Sequence, residues 1–405
     1  MDSNVISCRK NIAAILMTGL AVLPAGAADI DNVVAKLLDN DTQLELARRQ
    51  NAAASSELGT ANLLDDPEVE FEFLSGKNDD RKYNLSVSQS FDWPGVYGAR
   101  KRQIELERTG LQLGNELQVN EQRHALRTQL IDIIAANLVI KELSAAEDGC
   151  NRLLENLERE YKNGNVTILE LNKMRVEVAD FKLQLSEAYG NKEDLTSQLL
   201  STVSSSASYA DSDFDNLSSF PLVELMPMAH YVEEANNMAP SLRMAHNEAL
   251  AAKARRDVAN KNTLPGFSAG YRLSHEDGTL YNGFTFGVSL PFWRASAERK
   301  AAAAGEVSAM FGESVEKIRI EKSIEAAYKR ALNLKSTLSA YGEALTVSDN
   351  AALLERAYNS GAITLTELVL DINYFVQANV KYIELQRQYY NVLAELSRYS
   401  DTLGM

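Results

Sequence analysis

The chain has 405 residues, 45% of them hydrophobic, with 41 Lys and Arg set against 56 Asp and Glu for a net charge of −15. That length is enough to bury a large core, and the acidic balance argues against a nucleic-acid partner and for cationic or neutral ones. Two cysteines, Cys8 and Cys150, exclude a disulfide framework.

Residues 1–27 read as a secretory signal: Arg9 and Lys10, an apolar run from Ile12 to Leu23, and the small-residue cleavage site Ala25-Gly26-Ala27. Cys8 precedes the apolar run, so no lipid anchor is expected, and cleavage leaves Cys150 alone at a heptad-packed position. Beyond the signal no apolar run is long enough to span a bilayer as a helix.

From Ile30 to about Leu64 the pattern is helical, and Asp66-Pro67 stops it. Glu68 to Leu74 and Tyr83 to Phe91 then alternate strictly, so a strand hairpin is expected over about 68–92, closed by Trp93-Pro94-Gly95. Helical periodicity resumes, with Val119, Leu126, Ile133 and Ile140 at heptad steps. The resulting rod of roughly 65 residues would be about 100 Å long. A turn at 161–167 leads into a helix carrying Leu171, Val178 and Leu185 with Met174, Phe181 and Ala188, which ends near Leu200. Residues 201–221 are serine-rich and read as an irregular linker.

The second half repeats the order. A helix reaches Asn262, and a strand hairpin is expected over about 266–292. Another long rod runs to a turn at 358–364, and a last helix carries Leu368, Phe375, Tyr382, Tyr389 and Leu396. The two turns are written alike, as Tyr161-Lys162-Asn163-Gly164-Asn165-Val166-Thr167-Ile168-Leu169-Glu170-Leu171 and Tyr358-Asn359-Ser360-Gly361-Ala362-Ile363-Thr364-Leu365-Thr366-Glu367-Leu368. In each, a Gly ends one helix in a left-handed cap, and a Thr with a Glu three residues later forms a capping box for the next. The domain reading is therefore a signal at 1–27, a first structural repeat at 28–200, the linker at 201–221 and a second repeat at 222–405.

The strands set apolar and aromatic residues on one face and mostly small uncharged ones (Ser, Thr, Gly, Asn) on the other, the alternation of a membrane β-barrel. Tyr83, Trp93, Tyr281, Phe292 and Trp293 at the strand ends fit a membrane interface. Four strands cannot close a barrel, and an open edge in lipid leaves its N–H and C=O groups unpaired, so several subunits must combine. Three chains give twelve strands and a lumen wide enough for water, whereas eight-stranded barrels are filled by side chains.

With these residues in view the sequence resembles the TolC family of bacterial outer-membrane efflux ducts, across nearly the whole mature chain. The duplicated Tyr-x-x-Gly-x-x-Thr-x-x-Glu-Leu turns are similar to that family's periplasmic hairpin tips. Phe91-Asp92-Trp93-Pro94-Gly95 followed by Arg100 resembles the strand-to-rod junction of its CzcC-like heavy-metal branch. The resemblance implies a mainly α fold with a membrane β-barrel: a homotrimer in which four strands per chain build a 12-stranded barrel in outer-membrane lipid, above a 12-helix periplasmic barrel. It also implies a periplasmic adaptor and an inner-membrane pump of the resistance-nodulation-division type as partners. By the same resemblance Tyr358, Glu367 and Glu170 belong to a closed periplasmic aperture, and Asp371, four residues beyond Glu367 and so on the same helix face, is expected at the same narrow end. Ile363 stands where a basic lock residue can occur.

No enzyme motif is present, and no cofactor is expected. Met226, Met228, His230, Met244 and His246 have the ligand chemistry of a Cu(I) site, although Met is also a common core filler. Gly164 and Gly361, with Val166 and Ile363 beside them, are the expected adaptor-docking tips. The function these features point to is a passive duct exporting small cargo, metal cations ahead of drugs or a secreted protein. The rival is a non-conducting coiled-coil adhesin or scaffold, which would more naturally gather its strands at one end of the chain.

Overall fold

Nine helices and four strands form among the residues described by the computed structural model, which are 27–75, 81–203, 209, 211–276, 278–291, 293–346 and 350–400. In chain order they are α1 (Ala27–Asp39), α2 (Thr42–Thr60), β1 (Glu68–Ser75), β2 (Arg81–Phe91), α3 (Pro94–Lys162) and α4 (Ile168–Leu200). They continue as α5 (Met228–Met238), α6 (Pro240–Lys261), β3 (Gly266–Glu276), β4 (Thr279–Ser289), α7 (Arg294–Thr346), α8 (Asn350–Asn359) and α9 (Leu365–Leu396). Residues 1–26 of the expected signal, and Phe292, lie outside the described residues; Ala27 already opens α1.

Two expected helices are each split. The first breaks at Asp41, whose carboxylate accepts the Gln43 N–H at 2.8 Å and restarts the helix as α2. The second breaks before Pro240, which has no N–H to continue a ladder and therefore takes the first position of α6. In the serine-rich stretch the described residues include a short 3-10 helix at Asp211–Phe214, and that part is packed down. Phe214 and Phe220 are buried, Phe220 stacks on Tyr390 with ring centroids 4.8 Å apart, and Asn137 Nδ2 donates to the carbonyls of Phe214 and Leu217.

The chain divides into two compact units, and neither follows a repeat: one takes residues 1–43, 119–235 and 322–405, the other 44–118 and 236–321. Each is built from both copies. In the first, Leu143, Ala146, Cys150, Leu153 and Leu157 of α3 form a stripe at three- and four-residue steps that packs against Leu171, Met174, Val178 and Phe181 of α4 and Leu365, Leu368, Ile372 and Val376 of α9. Burial pushes the Cys150 thiol up to about 12, so it is packed and unreactive. Farther along, Arg127, 1% exposed, is held by Asp31 at 3.0 Å and by the Ser397 and Ser400 carbonyls, which ties α1, α3 and the end of α9 together.

The second unit carries one antiparallel sheet in the order β1-β2-β3-β4. Two local hairpins, one per repeat, join through β2 and β3, with Tyr83 opposite His275 and Phe91 opposite Phe267. Successive residues point to opposite faces. Val69, Val87, Tyr271 and Phe284 therefore form one row of the apolar face, and Ser88, Gly270 and Thr285 fall on the other. The apolar face is bare: Phe284 and Phe286 are 78% and 83% exposed. In the same unit α6 packs through alanines (Ala249, Ala251, Ala252), Asn247 donates to the Leu106 carbonyl of α3, and Arg256 pairs with Glu306 of α7.

Candidate functional site

Both tips belong to the helical unit, and they repeat down to their hydrogen bonds. At the end of α3 the Asn165 N–H reaches the Glu160 carbonyl and the Gly164 N–H reaches Tyr161; at the end of α8, Ala362 reaches Ala357 and Gly361 reaches Tyr358. This is the Schellman pattern, which needs a left-handed residue, and Gly164 and Gly361 have φ of 78° and 76°. Both are exposed, and at Gly164 open space lies where a side chain would stand.

Each following helix opens with a complete capping box. Glu170 Oε2 accepts the Thr167 N–H at 2.9 Å while Thr167 Oγ1 accepts the Glu170 N–H, and Thr364 with Glu367 repeats the arrangement at 2.7 Å. The backbone donors, then the threonine hydroxyls, hold both carboxyls below the usual carboxylate range. Asp371 is half-buried one turn beyond Glu367. Tyr358, Val166 and Ile363 are half-buried against the core of α3, α4 and α9.

More exposed apolar groups surround the tips than the sequence reading singled out. Leu169, Val176 and Leu183 are 64%, 70% and 57% exposed on the face of α4 turned away from its buried stripe, and Leu370 and Tyr374 stand out from α9. The signal was there as a second heptad series at 169, 176 and 183, hidden by the stronger one at 171, 178 and 185.

Polar pairs join α4 to α9 behind the tips: Lys173 with Thr366 at 3.2 Å, Glu177 with Asn373 at 3.1 Å and Gln184 with Gln377 at 3.1 Å. Asn379 holds Glu142 of α3 at 2.7 Å. Burial raises the pKa of both Glu177 and Glu142, with Asp180 adding to the first, so these seam carboxyls move opposite to the cap carboxyls. A carboxyl whose pKa is higher folded than unfolded binds its proton more tightly in the folded state, and stability rises as pH falls through that range. On their own these two carboxyls favour the folded state more at pH 5 than at pH 7, while His124 of the same unit, held down to about 4 by burial, pulls the other way. Glu177→Gln with Glu142→Gln should therefore make the helical unit lose more stability between pH 7 and pH 5 than the unaltered protein does. The caps act in the other sense, being lost only below the ordinary carboxylate range. Thermal unfolding followed by circular dichroism across pH 4 to 8 is the measurement, and an unchanged pH slope in the double variant would refute the assignment.

Of the Met and His candidates, Met226, Met228 and His230 belong to the helical unit and Met244 and His246 to the other. His246 Nδ1 is 2.9 Å from Glu313, and among the described residues no three His, Cys, Asp or Glu side chains converge to hold a metal.

Of the strand-end aromatics, Tyr83 packs with Phe73 and His275 at the hairpin end of the sheet, and Trp93 with Phe267 at the helix end. Trp293 is 88% exposed. Tyr281 lies on the polar face, opposite Ser274. At the junction below Trp93, Arg100 pairs with Asp92 at 2.9 Å and the Asp92 N–H donates to the Tyr97 hydroxyl. Among the described residues no helix is long and apolar enough to cross a membrane.

No protein-family model matches the chain, and no curated protein matches it in sequence. Solved structures do match. CusC, described for its transmembrane channel formation, is 13% identical over 97% of this chain and 96% of its own, with a TM-score of 0.72. The outer membrane protein VceC of Vibrio cholerae is 14% identical over 93% of this chain and 96% of its own, at 0.69. The outer membrane channel CmeC of Campylobacter jejuni is 17% identical over 92% and 85%, at 0.65. The chain has the TolC-like fold of these proteins, nearly end to end.

Proposed function

We propose that this chain is the outer-membrane duct of a tripartite efflux system, a passive conduit and not an enzyme. The observation that carries the reading is a four-stranded sheet with a bare apolar face, whose outer strands β1 and β4 each leave one edge unpaired among the described residues. Such edges are not tolerated in lipid, and three copies joined β1 to β4 make a closed barrel of twelve strands with none left over. The likeness to outer-membrane channels over more than nine-tenths of the chain supports the same reading.

On this reading the strands lie in the outer membrane, the helical unit lies in the periplasm, and the tips face an adaptor carried by an inner-membrane pump, which we take to be of the resistance-nodulation-division type. Gly164, Val166, Gly361 and Ile363 are the docking positions, and Tyr358, Glu170, Glu367 and Asp371 the narrow entrance. Heavy-metal cations are the cargo we favour, supported by the Asp92–Arg100 junction and its likeness to the metal-exporting branch.

The test is oligomeric state. Protein extracted from outer membranes in mild detergent should elute as a monodisperse trimer by light scattering and form channels in planar bilayers. A monodisperse monomer that never conducts would overturn the duct.

A further inference from the structure

The polar face of the sheet is not uniform. Glu68, Glu70 and Glu72 alternate along β1 and share that face, opposite Ser88, Ser86 and Asn84. Ser86 Oγ donates to Glu70 Oε2 at 3.3 Å and Asn84 Nδ2 to Glu72 Oε2 at 2.6 Å. β4 carries no charged residue at all. The remaining charges on this face are Lys82, taken up by Glu276 at 3.1 Å, and Arg272, which lies one strand beyond Ser86. Even with Arg272 set against one glutamate, two carboxylates per chain are left over.

A second observation lies beside them. Asn84 is 9% exposed, and its Oδ1 is buried without a hydrogen-bond partner while its Nδ2 is committed to Glu72. A buried acceptor next to a carboxylate, with no donor supplied, is the oxygen pair that a hard cation completes with water.

We propose that the polar face of β1 is a cation-binding column, with Glu72 and Asn84 Oδ1 as its strongest station and hydrated divalent cations of the calcium class as its ligand. Residues two apart on a strand are separated by about 6.8 Å, too far for neighbouring glutamates to close on one ion. The column is thus a series of single-carboxylate stations, weak enough to release what they hold, as conduction requires. This deepens the duct reading and rests on it for one point only, that the polar face lines the lumen. There, three columns would draw cations through the outer-membrane end of the duct, independently of the tip carboxylates.

Two measurements separate the column from the duct. In the first, Ca2+ is titrated into the detergent-solubilised full-length protein by calorimetry. Glu68→Gln with Glu70→Gln and Glu72→Gln keeps every side-chain acceptor for Ser86 and Asn84, and it should weaken the β1 binding about tenfold, with Glu72→Gln alone giving the largest single loss. Equal heats in wild type and triple variant overturn the column. In the second, reversal potential is read across a planar bilayer under a potassium chloride gradient, where the triple variant should lie closer to zero than wild type. If calorimetry shows the loss and conducting channels show no shift in reversal potential, the column stands as a cation site and the lumenal placement of this face falls.

Discussion

Phe284→Arg should abolish assembly in the outer membrane. Phe284 is 78% exposed on the apolar face, in one row with Val69, Val87 and Tyr271. An arginine facing lipid near the bilayer midplane costs about 2–4 kcal/mol, and the three copies in a trimer raise the total to about 6–12 kcal/mol, comparable to the whole stability of an ordinary domain. The control is the next residue. Gly283 points to the other face, and a side chain added there meets nothing within 4 Å, so Gly283→Arg should assemble and alter only conductance. Heat-resistant trimer in outer-membrane fractions, scored on gels for both variants, checks the pair. Equal assembly of the two would mean that the exposed aromatic face does not meet lipid.

Replacing both tip glycines by leucine should abolish efflux while leaving the amount of trimer unchanged. Both glycines are exposed, and a side chain added at Gly164 meets nothing within 4 Å. The intrinsic cost of leucine is the left-handed backbone, about 1–2 kcal/mol per site, which the core of thirteen buried side chains behind the tips can absorb. An adaptor helix approaching that backbone would meet the new side chains directly. Asparagine tolerates a left-handed φ better than leucine and is short, so the double asparagine variant separates backbone strain from steric exclusion and should keep most transport. Resistance to a panel of metal salts and drugs is the readout. Full resistance in the leucine pair would place docking elsewhere.

Local features of the chain were readable and non-local ones were not. Strict alternation at 68–74 and 83–91 gave both strands of the first hairpin to within a few residues, because one face is apolar throughout. The capping boxes at Thr167 and Thr364 were readable for the same reason: a cap is an interaction within four residues. The break at Asp41 was hidden because apolar periodicity runs straight across it, and the stop combines a local cap on Gln43 with contacts distant in the chain, the Asp41–Val203 bridge, the Thr42 N–H on the Thr202 carbonyl and Gln122 on the Asp41 carboxylate. The carboxylates of β1 were visible as letters, but their weight depended on knowing that β2, β3 and β4 offer them so few basic partners on the same face, which only the register supplies. Likewise the soft-ligand residues look close in sequence from 226 to 246, yet the boundary between the two compact units falls among them.

The join between β2 and β3 also sets an order of events in time. Each hairpin closes over a few residues, but Tyr83 finds His275 only 192 positions later, and pairings so distant in the chain are the slow ones because loop closure precedes any gain. On the proposed outer-membrane reading, the first hairpin therefore waits, complete but with both edges open, until the second has emerged from the export machinery. During that interval it is the part of the molecule most prone to pair with a wrong strand. A pulse of newly exported chain should thus be most sensitive to loss of periplasmic chaperones after β2 has emerged and before β3 has, and a version of the gene that delivers the second repeat first should wait in the same way with the other hairpin.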